Sequence, residues 1–224
     1  MFRHTKRGGS WLSLLALAAI SAVLIAGSGG VAAAGPAVDF SLPGALINNW
    51  NPNLNGFSLG WEFDVLQPLQ IERLGYFNYG VDGSGITTSH EVGIFDSVGN
   101  LLVSTTVNPG DPTSGLWVWK ALSTPFVLAP GSGYVVAGLS GPTDLYTYAV
   151  DSITVDPNIE YIKNRYQRTP SGMLINPLFT ISVYPGYHWF GPNFDGSPVP
   201  EPALLQLPFL LGMGGLAYWR RRRS

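Results

Sequence analysis

Ser58-Leu59-Gly60-Trp61-Glu62-Phe63-Asp64-Val65-Leu66 is the stretch on which the fold turns. In an extended chain, successive side chains point to opposite faces. Leu59, Trp61, Phe63 and Val65 therefore share one face, and Ser58, Gly60, Glu62 and Asp64 share the other. Apolar residues at every second position predict a strand with one buried face, and they conflict with helical spacing. Trp61 and Phe63 are assigned to the core.

Outward from this strand the pattern repeats. Leu69 to Tyr79 follows Pro68 as a second strand running into a loop. Val92 to Asp96, the turn Ser97-Val98-Gly99-Asn100 and Leu101 to Val107 make a hairpin with turn residues at its tip. Leu116 to Leu122 and Thr124 to Leu139, broken at Pro130-Gly131, supply further strands, as do Leu145 to Val150, Ile153 to Val155, Ile159 to Gln167 and Leu178 to Tyr184. About ten short strands, punctuated by Gly and Pro, predict an all-β domain. The expected architecture is one antiparallel β-sandwich, jelly-roll-like, flanked by an N-terminal signal helix and a C-terminal hydrophobic helix. Gly35 to about Asn49 reads as a loose lead-in, and Gly196 to Pro198 as a linker.

Composition narrows the function classes. The chain of 224 residues has no cysteine, which excludes disulfide scaffolds, thiolate zinc sites and Cys nucleophiles. The net charge of −2 hides an asymmetry. All 14 acidic residues lie between Asp39 and Glu201, whereas seven of the 12 basic residues lie in the terminal runs, at Arg3, Lys6, Arg7 and Arg220 to Arg223. The middle keeps Arg73, Lys120, Lys163, Arg165 and Arg168, a balance of −9. Nucleic acid is not an expected partner of so acidic a body, because a phosphate backbone calls for clustered Lys and Arg.

Both ends read as addresses. Arg3, Lys6 and Arg7 precede an apolar run from Trp11 to Ala26, and Ala32-Ala33-Ala34 offers a small-residue cleavage site before Gly35. This is the layout of a secretory signal peptide over residues 1–34, cut by signal peptidase. The competing reading is an uncleaved anchor, for which the run is short. At the other end Val199-Pro200-Glu201-Pro202 leads into an apolar stretch from Ala203 to Trp219, then Arg220, Arg221, Arg222 and Arg223. As a helix that stretch is long enough to enter a bilayer, and its arginines would stay cytoplasmic.

Residues 199–224 resemble the PEP-CTERM sorting signal of exported proteins in Gram-negative bacteria that make extracellular polysaccharide. The resemblance implies recognition by an exosortase at the inner membrane, then transfer to the cell surface or extracellular matrix. A plain C-terminal anchor is the alternative. Residues 35–198 carry a second resemblance, in Leu74-Gly75-Tyr76-Phe77, Asp82-Gly83, Ser89 to Asp96, Gly99 to Leu102, Asp156 to Ile159 and Phe190 to Phe194. These are similar to a β-sandwich family of unassigned function found in proteins with such tails. It implies fold and export, and no catalytic residues.

Motifs for chemistry are sparse. Ser84 or Ser89 beside His90 and an aspartate can be drawn as a triad, but His90 opening a strand and bonding a neighbouring loop is the simpler reading. Asp82, Ser84 and Glu91 offer oxygens for Ca²⁺, against the alternative that Asp82 caps its own turn. Trp117 and Trp119, at alternate positions, and Tyr187 and Trp189 in an aromatic-rich segment are candidates for stacking on sugar rings, against the alternative that they fill the core. The expected protein is non-catalytic, a surface or matrix component with affinity for extracellular polysaccharide. The alternatives are a glycan hydrolase working through a carboxylate pair and a purely structural or adhesive protein.

Overall fold

The computed structural model describes residues 35–40, 45–47, 56–79, 85–141, 143–148, 150, 152–169, 172–180 and 190–199. The signal run 1–34 and the tail from Pro200 onward, with the helices expected there, lie outside the described residues. So do Asp82, Ser84, Tyr187 and Trp189. No helix among the described residues is long and apolar enough to cross a membrane.

Every regular element described is a β-strand, and every strand pair is antiparallel. One sheet runs in the order β1 (Gly35–Pro36), β14 (Pro192–Pro198), β5 (Leu69–Phe77), β9 (Trp117–Leu128) and β8 (Thr113–Ser114). The other runs β13 (Ile159–Arg168), β4 (Phe57–Val65), β10 (Gly131–Leu139), β6 (His90–Phe95) and β7 (Leu101–Val107). Two small ribbons pair β2 (Val38–Asp39) with β12 (Thr154–Val155), and β3 (Ala45–Ile47) with β11 (Tyr146–Tyr148).

The two sheets contribute to one core. Trp61 and Phe63 of β4 meet Phe194 of β14 at ring separations of 5.6 and 4.9 Å, and the Trp61 indole donates to the carbonyl of Pro192 at 3.1 Å. Both β4 rings are fully buried, as their alternation requires. Burial of each such side chain contributes roughly 2–3 kcal/mol. The opposite face of β4 is covered in part as well. Ser58 donates to the carbonyl of Ile175 at 2.6 Å, and Leu174 packs on Phe95, Val135 and Ala137. Residues 172–180 thus act as a strap over the second sheet.

The hairpin tip forms as the sequence predicts. Asp96 accepts from the amides of Val98 and Asn100, and Gly99 takes a φ of +91°, a conformation that favours glycine. Other expectations need correction. The two segments read around Trp117 and Phe126 form the single strand β9, in which the residues between Ala121 and Phe126 bulge opposite Glu72. Pro125 is tolerated in that bulge because no ladder bond is asked of it.

Gly196 to Pro198 do not form a linker. They end β14, pairing with Ile71, Gln70 and Leu69, and most of that strand is buried. The lead-in is not loose where it is described, since Ala37, Val38 and Phe40 are buried and Val38 exchanges bonds with the Asn193 side chain. In both places Gly and Pro mark breaks in sequence, but tertiary pairing overrides them. Of the strand expected over Leu178 to Tyr184, the described part contributes only a bridge, Phe179 to Tyr166.

Candidate functional site

The densest polar cluster lies where β6 begins. His90 is the first residue of β6, and Asp144 lies just before β11. The Asp144 carboxylate accepts from the Thr87 amide at 2.7 Å, the Thr87 hydroxyl at 2.9 Å, the Thr88 amide at 2.9 Å, the Thr88 hydroxyl at 2.6 Å and His90 Nε2 at 2.8 Å. On the other side of the ring, His90 Nδ1 lies 2.8 Å from the Leu139 carbonyl. A carbonyl and an ionised carboxylate only accept, so filling both bonds takes a proton on each ring nitrogen. His90 and Asp144 are 0% and 1% exposed.

The electrostatics follow from this packing. Burial works against the charge on Asp144, but the bonds from His90, the Thr88 hydroxyl and the Thr87 and Thr88 amides outweigh it. They hold its carboxyl well below the usual carboxylate range. The Tyr76 ring lies flat on the imidazole, centroids 3.7 Å apart and planes within 6°. Burial, then the negative charge of Asp144, then Tyr146 push the Tyr76 phenol far above its ordinary value. Its hydroxyl has no hydrogen-bond partner among the described residues.

Chemically this cluster is a clasp. A Ser-His-Asp triad needs one imidazole nitrogen on a nucleophile. Here both nitrogens face acceptors, and the Ser89 hydroxyl is directed instead at Asn108, 2.8 Å away. The imidazole and carboxylate tie the segment before β6, the end of β10 and the loop before β11 to each other. His90 thus opens a strand and bonds a neighbouring loop.

Three other described acids face bases. Glu62 pairs with Arg165 and, at 3.4 Å, with Lys163; Asp111 pairs with Lys120 at 2.9 Å; Asp195 pairs with Arg73. Asp195 is fully buried, and burial outweighs Arg73 to raise its carboxyl above the ordinary value. One of its oxygens has no partner among the described residues. No group of three or more His, Asp or Glu that could hold a metal occurs among the described residues. Glu91 is half-buried on β6, while its suggested calcium partner Asp82 lies outside them.

The aromatic candidates divide. Trp117 and Trp119 are 1% and 3% exposed, so neither offers a ring face to a sugar, and the core reading holds for both. Trp117 meets Phe40 at 5.7 Å and Phe77 at 6.0 Å, and the Arg73 guanidinium lies 5.0 Å over the Trp119 ring. An open aromatic surface occurs instead at the end of β13. There Tyr166, Gln167, Arg168 and Phe179 line a cleft of about 310 Å³. Phe179 is 57% exposed, and its ring sits 6.0 Å from Tyr166 at 45°. The sequence places both rings in strands but gives no sign that the two meet. The available signal is weak: two strand-like runs separated by a Gly- and Pro-containing turn.

Comparison with known protein families, curated proteins and solved structures finds no match.

Proposed function

We propose that the protein is an exported, exosortase-sorted, non-catalytic component of the cell surface or extracellular polysaccharide matrix, built on a jelly-roll sandwich with affinity for carbohydrate. Strand order supports the sandwich. The sequences β1-β14-β5-β9 and β4-β10-β6-β7 follow the order of two interlocked Greek keys, with β8 and β13 added at sheet edges.

The observation that carries the sorting reading is placement. β14 ends at Pro198, and Val199-Pro200-Glu201-Pro202 begins at the next residue. The Val199 amide still bonds to the Pro68 carbonyl at 2.9 Å. A cut near the Pro-Glu-Pro therefore leaves every described strand on the released side. Signal cleavage before Gly35 does the same at the other end, because β1 starts there. The tail then serves as a transient hold on the inner membrane.

The test is to express the full chain in a host that carries an exosortase and follow its mass and location. The expected product lacks both termini and leaves the inner membrane. Replacing Pro200, Glu201 and Pro202 by alanine should trap it there. An unchanged mass and distribution in that variant would sink the sorting reading. Capture on the host's matrix polysaccharide, with calcium and with chelator, tests the affinity; no capture under either condition would leave a structural or adhesive protein.

A further inference from the structure

We propose that the Tyr166–Phe179 cleft binds an acidic glycan, with a sugar ring stacked on Phe179 and a uronate carboxylate held by Arg168. The inference rests on the carbohydrate-affinity reading above and names its site and its ligand class.

The wall of the cleft is built. Phe179 and Tyr166 exchange both backbone bonds, at 2.8 and 3.1 Å. The Leu178 amide donates to the Gln167 side chain at 3.1 Å, and Arg165 donates to the Leu178 carbonyl at 2.9 Å. Four bonds thus fix a segment whose two large side chains, Leu178 and Phe179, both face solvent at more than half exposure. An apolar ring held rigidly in water is the arrangement that stacks on the C–H face of a pyranose. The volume sits at the small end of ligand sites.

Charge selects among sugars. Of the five basic residues in the middle of the chain, Arg73, Lys120, Lys163 and Arg165 each face a carboxylate. Arg168 is the exception among the described residues. It is exposed, and its guanidinium lies 5.5 Å over the Phe57 ring, which orients it without neutralising it. A guanidinium on an aromatic shelf at the lip of an apolar cleft fits a carboxylate in two parallel hydrogen bonds.

The experiment is affinity electrophoresis of the full chain through gels containing polygalacturonate, neutral dextran or matrix polysaccharide from the host. Retardation should be stronger in polygalacturonate than in dextran. Phe179→Ala should weaken it at least tenfold, Phe179→Leu should not restore it, and Arg168→Gln should abolish the preference for the acidic polymer. Unchanged melting temperatures in the variants exclude a folding defect. Equal retardation by both defined polymers, or variants that bind like the parent, would overturn this inference and leave the matrix reading standing. Retardation by host polysaccharide without any by polygalacturonate would do the same. No retardation in any gel would remove this inference and the carbohydrate affinity together, leaving a structural or adhesive protein.

Discussion

Asp144→Asn is the substitution that tests the clasp most directly. It preserves shape but turns one acceptor oxygen into a donor. From Thr87, Thr88 and His90 the carboxylate accepts five bonds, four of them from the two threonines. Whichever way the amide is turned, its NH₂ meets an N–H it cannot satisfy. It also removes the negative charge that faces the buried His90 ring at Nε2. Breaking one side of a buried charged pair removes about 3–5 kcal/mol, and a domain of this size has roughly 5–15 kcal/mol to lose. With a urea dependence of about 2 kcal/mol per molar, the unfolding midpoint should fall by about 1.5–2.5 M.

The cycle with His90→Gln separates this pair from general damage. A coupling of about 1–3 kcal/mol is expected, because each partner is costly chiefly when the other remains. Acid titration supplies the sign. The Asp144 carboxyl is held below its ordinary value, so its contribution is complete above the unfolded aspartate value near ~3.9 and is lost as pH falls through the lower folded value. Parent and variant stabilities should therefore converge in acid. A midpoint shift worth less than about 1 kcal/mol, additive single substitutions, or a difference that persists unchanged below about pH 3 would refute the reasoning.

Three further outcomes follow from the packing. Asp195→Asn should change neutral-pH stability by less than about 1 kcal/mol in urea unfolding, because burial already disfavours that carboxylate and an amide oxygen still accepts from Arg73. Gly60→Ala should yield little folded protein by circular dichroism, since a Cβ there would sit 1.8 Å from the Val136 carbonyl oxygen and force β4 and β10 apart. Trp117→Ala should lower stability by about 3–5 kcal/mol as a core truncation, measured by denaturant titration, while Phe179→Ala should leave it within about 1 kcal/mol because that ring is largely in water.

The sequence made some of this architecture legible. Alternation at Leu59, Trp61, Phe63 and Val65 identified a strand and its buried face, because period two is a local property. Asp96, Gly99 and Asn100 marked a turn for the same reason. β14 was hidden for the converse reason. Its Pro, Gly, Ser and Asp are turn residues by propensity, and what makes them a buried strand is a ladder with β5 on one side and β1 on the other. Asp195 tolerates that position because Arg73 on β5 reaches it. Neither partner is visible in the local sequence.

Sites follow the same division. His90 was recognisable as a strand opener, but its partner Asp144 stands 54 residues away, and only the pairing of β10 with β6 brings the β10–β11 connection to the start of β6. The Trp117 and Trp119 pair shows the converse error. Spacing put both rings on one side of a strand, but whether that side meets water depends on Phe40, Phe77 and Arg73, which arrive from elsewhere in the chain. Aromatic count is therefore a poor guide to exposed ring surface in this chain. The rings most numerous in the sequence, those of the Trp- and Phe-rich strands, are the ones the core consumes. Among the described residues, what remains open is Phe179, held out by backbone bonds to an edge strand. Edge strands are where a sheet has unpaired surface to offer, so the cleft beside β13 is also where the fold leaves room for a ligand without disturbing its core.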